Sequence, residues 1–158
     1  MNKKSLITAA FVGLVASIIF IIVQPIFGMA TLTSRHALAY VTYGAYSETS
    51  ALILSWFVHI SVSVCYALLS MIIFNINRSL LVCTLQVVIL GWITTLIATP
   101  ANEFVVKLVT TSSFPALSSL SAINTQVGPK LWLHIVFFVF VMVGIWLASM
   151  KDVNNNKA

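Results

Sequence analysis

Four long apolar stretches, separated by shorter polar segments, constrain this chain more than any other feature. A bilayer core about 30 Å thick is crossed by about 20 helical residues. The chain offers four windows of that size, at residues 6–24, 51–74, 80–99 and 131–150. This pattern predicts an all-α, polytopic membrane protein whose four transmembrane helices form one up-down bundle, a single domain of residues 1–158.

The composition agrees with a lipid environment. Apolar residues make up 60% of the chain and charged residues 7%, against about 45–50% and about 25% in soluble proteins. The formal charge of +5 does not indicate nucleic acid, because the basic residues flank the apolar stretches and form no patch. The lipid bilayer is therefore the expected surrounding, and no nucleic-acid partner is expected. Cys65 and Cys83 lie inside apolar stretches and are interpreted as free thiols.

Basic residues near the ends of the stretches predict the orientation. Positive charge concentrates on the cytoplasmic side of a membrane, and here five basic residues lie on one side against three on the other. The five are Lys3, Lys4, Arg78, Lys151 and Lys157, and the three are Arg35, Lys107 and Lys130. Both termini are therefore expected in the cytoplasm, in a bacterial inner membrane, with outer loops at 25–50 and 100–130.

The first stretch has two interpretations. Its basic start, its apolar run and the small residues at 28–30 resemble a cleavable secretory signal. However, Ala9, Gly13 and Ser17 recur at every fourth position, a spacing that lets helix backbones approach closely in a membrane. This favours a retained helix that packs against a neighbour.

Prolines mark the two outer connections. Pro25 lacks the amide donor of a helix interior and is predicted to end the first helix, with a kink near the membrane face as the alternative. The third connection is placed from Pro100 to Lys130. Residues 31–50 are interpreted as a membrane-hugging loop, and 101–109 as a short interfacial helix. A connection as long as 100–130 is more often functional or partner-binding than idle.

One polar stripe runs along the second stretch, with intervals of three or four residues that place its members on one helix face. The members are Ser55, His59, Ser63, Tyr66 and Ser70. Because lipid cannot satisfy hydroxyl or imidazole groups, this stripe is predicted to face the bundle interior.

The three histidines are expected at one face of the bundle. His59 follows Trp56 by three residues and His134 follows Trp132 by two, so tryptophans anchored at the interface place both imidazoles at nearly equal depth. In an up-down bundle the second and fourth spans are parallel and diagonal, so these histidines face each other. The loops on the same side hold His36, Glu48, Asn102 and Glu103.

Three kinds of chemistry remain open for this cluster. His59 and His134 can hold a haem b iron axially, or with His36 and Glu103 they can bind a transition metal such as zinc or copper. In the third interpretation each histidine only hydrogen-bonds a neighbouring helix. No cofactor is assigned, and no catalytic residue is predicted, because no acid is available to orient a serine–histidine pair.

The order of these features resembles the YagU-like inner-membrane proteins of bacteria. The similar segments are AAFVGLVA at 9–16, WFVH at 56–59 followed by Tyr66, ATP at 98–100 and WLH at 132–134. The resemblance implies an inner-membrane location and a role in envelope or acid stress, and it implies no enzymatic activity.

The sequence thus predicts a non-enzymatic accessory or scaffold subunit of a membrane complex. Its outer loops and histidines are expected to engage other membrane subunits or a second copy of the chain. Two alternatives stay open: a haem- or metal-binding redox protein that uses His59 and His134, and a pH-responsive protein whose imidazoles gain charge when the periplasm acidifies.

Overall fold

Five α-helices make up most of the molecule. The computed structural model describes residues 1–125 and 128–155, the last five by their backbone alone, so Lys157 of the charge count lies outside the described residues. The chain is 84% helical, and no strand occurs in the described residues, which confirms the all-α prediction. The helices are α1 (Lys3–Val23), α2 (Leu32–Gly44), α3 (Glu48–Ile76), α4 (Leu80–Thr111) and α5 (Pro129–Asn155).

Four of these helices begin at a capping side chain, because the first amide groups of a helix need an acceptor outside it. The side-chain oxygen of each cap accepts a hydrogen bond from the backbone N–H three residues later. The caps are Asn2 for α1, Thr31 for α2, Ser47 for α3 and Ser79 for α4.

Four helices are long and apolar enough to cross a membrane, and each contains one of the predicted windows. The candidate spans are Lys3–Phe27, Glu48–Ile76, Leu80–Thr111 and Pro129–Met150. The sequence prediction of four long apolar helices is therefore confirmed.

The expected outer loop at 25–50 is mostly helical, which corrects the sequence interpretation. Pro25 lies in a short 3₁₀ turn (Gln24–Phe27), and a new helix, α2, begins after Thr31. Thr33, His36 and Tyr40 share one face of α2 and are buried against the bundle. This helix escaped prediction because only that narrow face is buried, and part of it is polar.

The expected outer loop at 100–130 also begins later than predicted, since α4 continues through Pro100 to Thr111. Pro100 has no N–H to donate to the carbonyl oxygen of Leu96 four residues earlier. That oxygen instead accepts the backbone N–H of Asn124, at 2.8 Å. The connection after Thr111 thus replaces the hydrogen bond that the proline removes, and α4 does not end there.

The helices surround the interior in the order α3, α1, α5, α4, and α2 packs across one end of the bundle against α3 and α4. The small-residue series of α1 is buried against α3: a Cβ atom on Gly13 would lie 2.7 Å from the Cα atom of Val64. This confirms the packing interpretation of that series. By contrast, α3 makes few contacts with α4 or with the diagonally placed α5.

Candidate functional site

A cavity of about 120 Å³ lies beneath α2, at the end of the bundle where α1 ends and α5 begins. All five helices contribute to its walls, which are mainly apolar and aromatic. His36 from α2, His59 from α3 and His134 from α5 all line it. The convergence of the three histidines that the sequence suggested is therefore present as one shared cavity.

His59 is held by a hydrogen bond to α1. Its Nε2 atom lies 3.1 Å from the carbonyl oxygen of Ser17. Because a carbonyl oxygen only accepts, Nε2 carries the hydrogen and donates it. In the neutral imidazole this leaves a bare lone pair on Nδ1. The polar stripe around His59 is buried as predicted, with Ser55, Ser63 and Ser70 at most 3% exposed.

His134 is held in the same way by α4. Its Nδ1 atom lies 2.9 Å from Oγ1 of Thr95, and that hydroxyl donates its single hydrogen to the carbonyl oxygen of Gly91 at 2.7 Å. Thr95 therefore accepts from His134, and the neutral imidazole has its bare lone pair on Nε2. A chain of two hydrogen bonds thus fixes the tautomer of this histidine.

His36 differs from the other two histidines. It is 6% exposed, and neither ring nitrogen has a hydrogen-bond partner among the described residues. Burial, then the nearby charge of Arg35 and the proximity of His59, lower the pKa of His36 from 6.5 to about 4. The nearby side chain of Asn102 acts in the opposite direction and raises the pKa of His36, although its contact with the ring does not have the geometry of a hydrogen bond. At neutral pH the cavity therefore contains an uncharged imidazole with one donor and one acceptor unused.

The ring of Phe20 packs against both hydrogen-bonded histidines. Its centroid lies 5.5 Å from that of His59 and 5.9 Å from that of His134, with the second pair nearly parallel at 22°. A haem iron with two axial histidines must lie directly between their nitrogen atoms. Phe20 contacts both rings, and nothing in this arrangement supports a haem held by His59 and His134.

Glu103 does not join the histidines in the cavity. Its carboxylate accepts hydrogen bonds from the backbone N–H of Ser121, at 2.8 Å, and from the Ser121 hydroxyl. It lines an adjoining cleft together with Arg35 and Lys130. Within residues 1–125 and 128–150 no group of three or more histidine, cysteine or acidic side chains is placed to hold a metal ion. The expected metal set of His36, His59, His134 and Glu103 is thus not assembled.

Sequence reasoning missed three groups that shape the cavity: Phe20, the carbonyl oxygen of Ser17, and Thr95 as the partner of His134. One signal was available, because Phe20 lies three residues after Ser17 and so shares its helix face. The contact between Thr95 and His134 depends on how α4 and α5 are rotated about their axes, which no pattern in the sequence indicates.

Comparisons of the chain with protein-family models, with curated proteins and with solved structures find no match.

Proposed function

We propose that this chain is a multi-pass protein of the bacterial inner membrane, without enzymatic activity, that acts as an accessory subunit and holds a small ligand in the three-histidine cavity. The observation that carries the proposal is His36, whose two ring nitrogens are buried beside that cavity without partners among the described residues. Buried polar groups nearly always find a partner, and exceptions call for an explanation such as a missing ligand. A concave, mostly apolar site with few polar groups is the usual form of a small-molecule site.

The accessory role is supported by the segment after α4. Phe114, Leu117 and Ile123 are 82%, 81% and 57% exposed, although they lie beyond the apolar core of the four long helices. Exposed apolar groups of this kind suit a contact with another membrane protein or a second copy of the chain. The similarity to YagU-like proteins supports the inner-membrane location.

Purification from native membranes into nanodiscs, followed by mass spectrometry, tests both parts. We expect a small molecule to accompany the protein, and we expect His36→Leu to lose it. The matched control is Thr42→Val, on the exposed face of the same helix, which should keep the molecule. Recovery of the chain alone, with neither a bound molecule nor a stoichiometric partner, would overturn the proposal.

A second candidate function is a response to acid, and the position of His36 favours it. Protonation of this imidazole would place a positive charge in an apolar cavity, next to Arg35. Bacteria that carry His36→Leu should then differ from the wild type in survival near pH 4 and not at pH 7. Equal survival of the two strains at both pH values would reject this candidate.

A further inference from the structure

The cavity opens sideways between α3 and α4. Val62 on α3 and Ile97 on α4 both line it, yet they are 43% and 38% exposed on the outside of the bundle. The scarcity of contacts between α3 and α4 leaves this strip unsealed. In a membrane, such an opening faces lipid chains, so a ligand can enter from the bilayer with its tail still outside.

The polar groups inside the cavity call for a ligand that donates hydrogen bonds. His59 uses its N–H on Ser17 and His134 uses its N–H on Thr95, so each neutral ring has one bare acceptor nitrogen left. No lysine, arginine or acidic side chain is among the lining residues that the structure describes. An anionic head group such as a carboxylate would therefore lack a counter-charge, whereas a neutral hydroxyl finds two acceptors.

The size and lining of the cavity favour a ring. A volume of about 120 Å³ is close to the roughly 150 Å³ of an engineered apolar cavity that binds benzene. Phe20, Tyr66 and Phe137 supply aromatic surface in addition to the imidazoles, and aromatic side chains pack well against other rings.

From these observations we propose that the cavity binds the head ring of a lipid-soluble quinol. Its two hydroxyl groups donate to His59 and His134, one of their oxygen atoms accepts the N–H of His36, and its chain leaves between Val62 and Ile97. This inference rests on the proposed function, because it names the ligand class of the same cavity. It concerns binding alone and requires no oxidation or reduction.

The test compares the binding of three ligands to the purified wild-type protein in nanodiscs, namely decyl-hydroquinone, its dimethyl ether and decyl-benzoquinone. The hydroquinone is measured under anaerobic reducing conditions. Methylation or oxidation removes both hydroxyl donors and leaves the ring and chain in place. Loss of well-formed hydrogen bonds to buried groups should weaken binding by about tenfold or more. Equal affinity for the hydroquinone and its dimethyl ether would overturn the inference.

Variants of α4 test its two roles, which are to fix the tautomer of His134 and to form one side of the opening. Thr95→Val removes the group that fixes the tautomer of His134, so hydroquinone affinity should fall several-fold, and Thr95→Ser should restore it. Ile97→Trp should narrow the opening and slow association, whereas Ile89→Trp, at another exposed position of α4 that lies outside the cavity, should not. Equal association rates for these two tryptophan variants would contradict entry between α3 and α4.

The outcomes also distinguish this inference from the proposed function. A co-purified molecule of another class that His36→Leu removes, such as a fatty acid, would support the cavity as a ligand site and overturn the quinol. Failure of the hydroquinone to bind, with no co-purified molecule at all, would overturn both.

Discussion

Burial of the His36 imidazole in the cavity is unfavourable for the free energy of folding. Burial deprives this imidazole of water, and no residue that the structure describes supplies a hydrogen bond in return. Unsatisfied buried polar groups cost about 1–3 kcal/mol each. Tyr40, one turn further along α2, is completely buried with an unpartnered hydroxyl, and burial, then Tyr46, raise its pKa to about 12. The buried face of α2 thus carries two polar side chains, His36 and Tyr40, that have no hydrogen-bond partner in the described part of the chain.

The lowered pKa of His36 predicts a loss of stability in acid. The unfolded chain takes up this proton near pH 6.5 and the folded chain only near pH 4, so between these values the unfolded state binds more protons. The full stability is present above about pH 6.5 and decreases as the pH falls toward 4, by on the order of 3 kcal/mol.

Thermal unfolding in detergent, followed by circular dichroism at a series of pH values, measures this effect. The difference between the wild type and His36→Leu isolates the contribution of His36 from those of the other charged or titrating groups nearby, which include Arg35, His59 and Glu103. If the difference in unfolding temperature between the two proteins were constant from pH 7 to pH 4, the prediction would be wrong.

The sequence predicted which histidines meet, and its interpretation that they hydrogen-bond neighbouring helices is confirmed for His59 and His134. The distances from Trp56 and Trp132 were enough to place His59 and His134 at one level. Their hydrogen-bond partners and the position of Phe20 follow from side-chain packing across three helices. Such contacts depend on helix rotation to within a fraction of a turn, which hydrophobic patterns do not determine.

Among the glycines of the bundle, Gly13 marks the closest approach of two helix backbones, those of α1 and α3. An added methyl group on Gly13 would meet the backbone of Val64 at 2.7 Å, so it can be accommodated only if the helices move apart. On Gly144 of α5 the same group would meet only methyl groups of Val12, at 3.0 Å and 3.1 Å.

Gly13→Ala is therefore expected to destabilise the protein by about 1–3 kcal/mol, the usual cost of overpacking. Gly144→Ala should be close to neutral, because a gain in helix propensity of up to about 1 kcal/mol offsets a small adjustment of Val12. Unfolding in mixed micelles with increasing sodium dodecyl sulfate compares the two. Equal effects of the two substitutions would contradict the close approach of α1 and α3.

Pro100 shows how a helix-breaking residue is accommodated within α4. Pro100→Ala restores an N–H that competes with Asn124 for the Leu96 oxygen, so we expect α4 to be unaffected and the connection to lose its attachment. Hydrogen exchange at the Asn124 amide should become at least several-fold faster. Unchanged exchange in the variant would show that the connection is held by other contacts.

Sequence patterns predicted the long apolar helices and failed for α2 and for the end of α4. Each long helix is recognised in the sequence by a run of about twenty mainly apolar residues. In α2 the buried face consists of Thr33, His36 and Tyr40, which no hydropathy window selects. In α4 the breaking effect of Pro100 is cancelled by a residue 24 positions away along the chain, and local rules do not include such a partner.

If all four candidate spans cross a membrane, residues 1 and 158 lie on the same side of it. The distribution of the basic residues favours the cytoplasm for that side. A reporter active in the cytoplasm should therefore function when fused after Ala158, and one active in the periplasm should function when inserted after Ser112. The opposite pattern of reporter activity would reverse the orientation and place the three-histidine cavity near the inner surface.

The attachment of the connection to α4 sets a limit on its length. Glu103 holds Ser121 and Leu96 holds Asn124. Seven residues of α-helix rise about 10 Å, and three residues of extended chain span at most about 10–11 Å. With one residue fewer, the extended chain spans at most about 7 Å, which is less than that rise. Deletion of Ile123 should detach one of the two ends, whereas insertions between Ser113 and Ala116 should be tolerated, so length variation among natural relatives should be confined to that earlier part.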